Sequence, residues 1–206
     1  MYSPAYNRPA DHGEIVRFMH ENGFALLVTG TGGELRASHL PAVVEDGSQG
    51  VVLHMHMAKA NAQWQEFFEG EQVLVVFSGP HAYVSPRWYE ETQRVPTWNY
   101  AAVHAYGTVR VIEERAAKHA SQRRLVAQLD PPWLAKFDGL PQAYVDSMLA
   151  GIVTFDVAVT RLEARWKLSQ NRGMREQALI AAELEKSDDS TARALAALTR
   201  RHLAEP

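Results

Sequence analysis

Residues 95–112 form the longest strand-like run of the sequence, and a strand of this length restricts the fold more than any other segment. Pro96 stands near its start, where a strand tolerates a proline, and aromatic and β-branched residues dominate beyond it. Successive side chains of a strand point to opposite faces. One predicted face is Trp98, Tyr100, Ala102, His104 and Tyr106, and the other is Asn99, Ala101, Val103 and Ala105. The aromatic face fits an ordinary barrel strand, and it equally fits a wall that is part core and part ligand surface.

The other segments predict a mainly β fold with added helices. Apolar alternation bounded by glycine-rich turns predicts strands at 24–29, 34–44, 51–56, 72–78, 81–85 and 151–164. Helical spacing and stop signals predict helices at 11–22, 57–68, 113–129, 133–137, 142–149, 174–186 and 188–202. Six or more strands in hairpin order, with few helices between them, are typical of an antiparallel barrel.

Composition narrows the class of protein. The chain has 206 residues, 46% hydrophobic and 22% charged, which is enough for a sizeable core. The net charge of -3 gives no support for a strongly basic nucleic-acid surface, and the lack of cysteine excludes disulfides and thiolate metal sites. The N-terminus has no signal-peptide pattern and no apolar run approaches transmembrane length, so we expect a cytoplasmic protein with no membrane partner.

A candidate anion site lies where the third strand runs into the next predicted helix. Lys59 stands at this junction. The free amides and positive dipole end of a helix start can face an anion, and a lysine adds a full charge. The alternative is that Lys59 is an ordinary solvated surface lysine.

Three other kinds of site find little support in the sequence. His54 and His56 share a strand face at the spacing of paired metal ligands, but no carboxylate follows them closely, so we predict no metal site. No nucleophile elbow supports a serine hydrolase. The last two helices carry a mildly basic end, without the clear face of a recognition helix, and a dimer-packing role suits them at least as well.

Three segments together resemble one family. They are residues 80–89 (PHAYVSPRWY), 95–100 (VPTWNY) and 166–172 (WKLSQNR). They are similar to the PaiB-type family of FMN-binding negative transcriptional regulators, and the resemblance covers nearly the whole chain. It implies a Greek-key FMN-binding split barrel of the pyridoxamine-phosphate-oxidase type over residues 1–172. Residues 173–206 would form a C-terminal helical extension packed on the barrel or on a dimer partner. The resemblance also implies a homodimer with flavin sites at its interface.

The resemblance also implies cofactor contacts. The segment that holds Lys59 and Asn61 resembles the phosphate-binding segment of flavin split barrels, and residues 36–41 resemble the strand that lines the flavin ring and ribityl chain. Trp166 and Arg172 fall where related families place a late tryptophan and arginine near the flavin. The predicted FMN-binding residues are Ser38, His39, Lys59, Asn61, Trp98, Trp166, Gln170 and Arg172.

Three functions fit this resemblance. The first is an FMN-binding regulator, for which DNA is a conceivable partner without a basic motif to support it. The second is a flavin oxidoreductase, in which the Arg87–Tyr89 loop covers a substrate and the cofactor carries the chemistry. The third is a haem-binding split barrel that uses His39, His54, His56 or His104 as axial ligand. We rank FMN binding above haem because no histidine stands in a ligand-like loop.

Overall fold

A computed structural model of the chain describes residues 1–9, 11–67, 71–89 and 93–204, and within these ranges six strands close into an antiparallel barrel. The strands are β1 (Phe24–Thr31), β2 (Glu34–Gly47), β3 (Gly50–Ala58), β4 (Gln72–Val84), β5 (Thr97–Ile112) and β6 (Ile152–Lys167). Their order around the barrel is β1-β2-β3-β6-β5-β4. Because β6 lies between β3 and β5, the connection is a Greek key. The predicted fold class, a mainly β antiparallel barrel with C-terminal helices, is confirmed.

Six α-helices accompany the barrel in the described ranges. They are α1 (His12–Glu21), α2 (Arg115–Leu129), α3 (Leu134–Asp138), α4 (Gln142–Ala150), α5 (Met174–Glu185) and α6 (Ser190–Ala204). The Asp11 carboxylate accepts a hydrogen bond of 2.8 Å from the Glu14 amide, which is the predicted N-terminal cap of α1. Within the described ranges, no helix is long and apolar enough to cross a membrane.

Two element predictions are wrong. Residues 57–68 were predicted as a helix, but β3 runs to Ala58 and is followed by a 3-10 helix at Ala62–Glu66. Met57 pairs with Val153 on β6, and this ladder overrides the helical pattern; Phe68 lies outside the described residues. Residues 72–78 and 81–85 were predicted as two strands, but β4 is continuous through Pro80. The register of β4 with β1 covers Leu74 to Val76, so Pro80 lies beyond the part of β4 that pairs with β1.

The two faces of β5 are as predicted. Asn99, Ala101, Val103 and Ala105 are buried, whereas the side chains between them are half-buried or exposed. Trp98 has 50% of its surface exposed. The aromatic face is therefore not part of the barrel core. This is consistent with the interpretation of that face as a ligand surface.

The chain divides into two compact units. One consists of residues 1–15, 78–103 and 163–206, and the other of residues 16–77 and 104–162. In the first, α5 packs against α6, and Trp166, Leu168, Ile180 and Leu195 are buried. In the second, β2 pairs with both β1 and β3, and Leu27, Leu53 and Phe155 are buried. The predicted boundary between residues 172 and 173 stays a prediction.

Gly107 is predicted to be indispensable to the packing of β5. A Cβ at this position would lie 2.3 Å from the carbonyl oxygen of Ala158 on β6, so no side chain fits. We expect Gly107→Ala to lower the free energy of unfolding by about 1–3 kcal/mol, the usual cost of overpacking. The measurement is urea unfolding followed by circular dichroism. Gly47→Ala is the matched control, because nothing lies within 4 Å of its Cβ; equal stability of the two variants would contradict this account.

Candidate functional site

Lys59 stands on a backbone that is fixed on both sides. Its amide donates to the Gly151 carbonyl at 2.9 Å, directly beyond the last β3–β6 pair of Ala58 and Ile152. Its own carbonyl accepts a hydrogen bond of 3.0 Å from Trp64 Nε1. The side chain itself is exposed. The structure thus presents a lysine ammonium to solvent from a well-held main chain.

Asn61 joins this turn to β2. Its Nδ2 donates to Ser38 Oγ at 2.8 Å, and both side chains are half-buried. Its Oδ1 accepts from the Gln63 amide at 3.0 Å and so caps the 3-10 helix. The predicted anion site, which uses free amides at a helix start beside Lys59, stays a prediction. The helix begins three residues after Lys59, and the Asn61 side chain accepts from one of its first amides.

A buried glutamine, which is not among the predicted site residues, ties the same turn to the barrel. Gln63 Nε2 donates to the Leu27 carbonyl at 3.3 Å, to Thr29 Oγ1 at 3.2 Å and to the Arg36 carbonyl at 3.2 Å. Its Oε1 is buried and has no hydrogen-bond partner among the described residues. No local pattern distinguishes Gln63 from the other polar residues of this segment, because its partners lie 27 to 36 positions away.

Arg36 is neutralised within this group. Its Nε lies 2.7 Å from Glu66 Oε1, and Thr29 Oγ1 donates to Glu66 Oε2 at 2.5 Å. Glu66 has 13% of its side chain exposed, so this ion pair is partly buried. The positive charge of Arg36 is therefore already matched, and Lys59 is the better candidate for an added anion.

Ser38 and His39 point to opposite faces of β2. Ser38 contacts Asn61, whereas the His39 ring stacks on Phe24 with centroids 5.8 Å apart and an angle of 25°. Consecutive residues of a strand cannot present both side chains to one ligand on one face. Of this predicted pair, Ser38 is the side chain on the Asn61 side.

Trp166 and Gln170 are held inside the first unit. Trp166 has 1% of its surface exposed, and its Nε1 donates to Glu14 Oε1 at 2.5 Å. The Gln170 amide donates to the Trp166 carbonyl and accepts from the Leu168 amide at 2.7 Å. These bonds close the turn around Ser169, whose φ of 68° is left-handed. Both predicted residues thus shape the backbone that leads to Arg172.

Arg172 and Trp98 present more accessible surfaces. The Arg172 guanidinium carbon lies 5.2 Å from the ring centroid of Tyr89. Trp98 stacks on His81 with centroids 5.9 Å apart and an angle of 29°. Trp98 and His81 line a cavity of about 290 Å³ together with Tyr100, Ala102, Ser78 and Gly79.

His54 belongs to a buried ionic network. Its Nδ1 lies 2.7 Å from Asp156 Oδ1 and its Nε2 lies 3.0 Å from Glu45 Oε2, while Arg110 Nη2 donates to Asp156 Oδ2 at 2.9 Å. With both ring nitrogens in hydrogen bonds, His54 is a poor axial ligand for haem. His56 lies half-buried nearby in sequence, and burial lowers its pKa. Among the described residues, no group of three or more His, Asp or Glu side chains is arranged to hold a metal ion.

The network shifts the pKa of both central groups. The hydrogen bond with Asp156 holds the pKa of His54 above its usual value, against the opposing effect of burial. Burial acts to raise the pKa of Asp156, but the hydrogen bonds from His54 and Arg110 outweigh it and the pKa lies below its usual value. The two residues are 102 positions apart, so no local pattern of residues signals their pairing.

Comparisons with known proteins show the family of the chain. Residues 1–161 match a family model described as "Putative FMN-binding domain". The chain is 36% identical over 201 residues, 96% of each chain, to "Protease synthase and sporulation protein PAI 2" of Bacillus subtilis.

Two solved structures share the fold. The flavocytochrome Anf3 of Azotobacter vinelandii matches with a TM-score of 0.62 at 13% identity, covering 77% of this chain and 68% of that chain. An FAD and heme binding protein of Mycobacterium smegmatis matches with a TM-score of 0.62 at 15% identity, covering 77% of this chain and 72% of that chain. At this identity the likeness concerns the fold, and it confirms the predicted split-barrel class.

The His54–Asp156 pair is predicted to make stability depend on pH. Because the folded-state pKa of His54 lies above the unfolded value, its contribution is complete below about pH 6.5 and is lost as the pH rises through the folded-state pKa. The free-energy difference between wild type and Asp156→Asn should therefore be larger at pH 6 than at pH 8.5. Urea unfolding at the two pH values measures it. Asp146→Asn, which breaks an exposed ion pair with Arg115, is the control and should show no such change.

Proposed function

The chain belongs to the PaiB-type family of FMN-binding domains, and from this premise we propose that Lys59, Asn61 and Ser38 hold the phosphate and ribityl chain of FMN. Family membership supports FMN as the cofactor. The single observation that carries the residue assignment is the exposed ammonium of Lys59 on a fixed backbone, beside the hydrogen-bonded Asn61–Ser38 pair.

The donor set fits this part of the cofactor. A phosphate needs a cation, and Lys59 has no salt bridge among the residues that the structure describes. Ribityl hydroxyls need side chains that both donate and accept, which the Ser38 hydroxyl and the Asn61 amide do. The buried Gln63 Oε1 below them is an acceptor without a donor.

The predicted ring contacts divide into two kinds. The exposed indole of Trp98 and the guanidinium of Arg172 present surfaces that an aromatic ring or its polar edge can touch. Trp166 and Gln170 act through the turn that they hold, since Trp166 is buried and the Gln170 amide is fully engaged with the backbone. His39 faces away from Ser38 and is assigned to a surface shared with a second copy of the chain.

When bound, FMN supplies reversible electron and hydride chemistry, while the protein binds and orients it. We propose a regulatory role, as the family name implies, and a cytoplasmic location. This role does not depend on whether the bound FMN is reduced and oxidised. Direct DNA binding has little support from α6. Arg200 bonds to Glu185 and Arg193 donates to the Ser187 carbonyl, so both arginines are engaged within the chain.

We also propose that the chain forms a homodimer with its ligand sites at the interface. The outward face of the β1–β2 hairpin, opposite to the face that carries Ser38, supports the dimer contact itself, because Phe24 has 70% and Leu35 has 78% of its surface exposed. His39 and Ala37 lie between them on the same face and are exposed as well. An apolar sheet face of this kind is typical of a protein–protein contact.

Lys59→Ala is predicted to weaken FMN binding by roughly 1.5–3 kcal/mol, the worth of a charge-assisted hydrogen bond. The measurement is a titration of the FMN-free protein with FMN by flavin fluorescence. Riboflavin, which lacks the phosphate, provides the internal test: its affinity should be the same for wild type and Lys59→Ala. Lys136→Ala, an exposed lysine on α3, is the matched control. An equal loss of riboflavin and FMN affinity would show that Lys59 acts on the fold and not on the phosphate.

Phe24→Glu combined with Leu35→Glu is predicted to convert the dimer to a monomer. Two carboxylates on a buried apolar interface would have to be desolvated on association. Light scattering after gel filtration should give the mass of one chain for this variant and twice that mass for the wild type. Leu129→Glu on α2 changes another exposed leucine and should leave the dimer intact. A wild-type chain that is monomeric at all concentrations would refute the proposal.

A further inference from the structure

Two cations that the predicted FMN contacts do not use touch residues that line the aromatic pocket of the first unit. Arg165 and Lys167 lie two positions apart on β6, so their side chains leave the same face of the strand. The residues between and beside them, Ala164, Trp166 and Leu168, are buried. The two charges therefore stand together on the outward side of the barrel wall.

Both cations adjoin residues that line the pocket. The Arg165 guanidinium carbon lies 5.5 Å from the ring centroid of Tyr100 and 5.3 Å from that of Tyr2. Lys167 Nζ donates to the Trp98 carbonyl at 2.7 Å and also to Thr97 Oγ1. Tyr100 and Trp98 line the pocket, so each of the two cations is in direct contact with a residue of the pocket lining.

Neither cation is neutralised by a carboxylate in the part of the chain that the structure describes. Arg165 Nη1 donates to the Tyr2 carbonyl at 2.9 Å, and the bonds of Lys167 also end on neutral oxygens. The buried Nε of Arg165 has no hydrogen-bond partner among the described residues. Glu163, on the same face of β6, accepts a hydrogen bond from the Met1 ammonium.

The two charges also disfavour one another. Burial, followed by the charge of Arg165, lowers the pKa of Lys167. Two neighbouring cations that contact only neutral acceptors repel each other, and a bound anion would offset this repulsion. In contrast, Arg36, Arg110, Arg115, Arg123 and Arg200 each bond to a carboxylate.

We propose that this pocket binds a small planar aromatic molecule that carries a carboxylate or phosphate group on or next to its ring. Trp98 and His81 form the stacking surface, and Arg165 and Lys167 bind the oxyanion. The cavity of about 290 Å³ suits one or two fused rings, since it is near the lower end of the range for ligand pockets, roughly 300–1,000 Å³. A guanidinium and an ammonium both bind oxyanions through charge-assisted hydrogen bonds.

The proposal extends the proposed function and rests on it in one respect. Trp98 is also a predicted contact of the flavin ring, so the role of the bound molecule as a reactant or an effector of the flavin rests on the proposed function. The binding site itself is built from residues of one unit and can be tested in the FMN-free protein. A failure of FMN binding and a failure of this pocket are therefore distinguishable.

The experiment is isothermal titration calorimetry of the full chain, with and without FMN, using 2-naphthoate and 2-naphthyl phosphate as probes. We expect saturable binding of one probe per chain in both samples, and the tighter probe identifies the preferred oxyanion. The uncharged 2-naphthamide and the non-aromatic cyclohexanecarboxylate should each bind at least tenfold more weakly. Absence of saturable binding, or equal binding of 2-naphthamide, overturns the proposal, as does release of FMN by the probe.

Variants assign the residues. Arg165→Met, Lys167→Met and Trp98→Leu should each weaken probe binding at least tenfold, whereas Lys136→Met on α3 should not. Lys167 also donates to the Trp98 carbonyl, so Lys167→Met could act through the backbone and not through the lost charge. Lys167→Arg separates the two effects, because it keeps the charge and should retain the affinity for the probe within about threefold. Circular dichroism confirms that each variant is folded. Affinity unchanged in both Arg165→Met and Lys167→Met contradicts the proposal.

Discussion

The pairing of β3 with β6 is the interaction on which the rest of the second unit depends. It joins residues 52–58 to residues 152–158 in antiparallel register, across about half of the chain. The bond from the Lys59 amide to the Gly151 carbonyl continues that ladder by one step, so the ladder decides where the lysine stands. The same register sets His54 opposite Asp156. One set of backbone hydrogen bonds thus positions the proposed phosphate-binding lysine and the buried ionic network.

The long strand was predictable because its information is local. A period of two over residues 97–106 assigns each side chain to a face, and the burial of Asn99, Ala101 and Val103 follows directly. The 3-10 helix at Ala62–Glu66 was not predictable in the same way, since its form depends on Asn61 reaching Ser38 and Gln63 reaching β1 and β2. Those are tertiary hydrogen bonds, and a sequence pattern that favours a full helix cannot anticipate them.

The candidate site shows the same division. Lys59 could be singled out from its position at the end of a strand, but the caps and partners around it could not. Trp166 and Gln170 were identified through the resemblance to a family. The structure adds that both residues form hydrogen bonds that hold a turn, in which Ser169 has a left-handed backbone conformation. Asn99 supports this turn from β5, where its Nδ2 donates to Ser169 Oγ at 2.9 Å. Residues that a motif brings together can therefore serve a ligand through the backbone that they fix.

The arginines and lysines of the chain differ in whether a carboxylate pairs with them, and this difference distinguishes structural cations from candidate ligand-binding cations. Arg110 and Arg36 each bond to a carboxylate that is largely buried, where an unmatched charge would cost several kcal/mol. Arg165 and Lys167 donate to neutral oxygens, and the Lys59 side chain has no salt bridge in the described ranges; all three remain at least partly open to solvent. A chain with a net charge of -3 has carboxylates enough to pair them. Their neutral surroundings favour anions that arrive from outside the chain, and the aromatic rings beside Arg165 and Lys167 favour anions that carry a ring of their own.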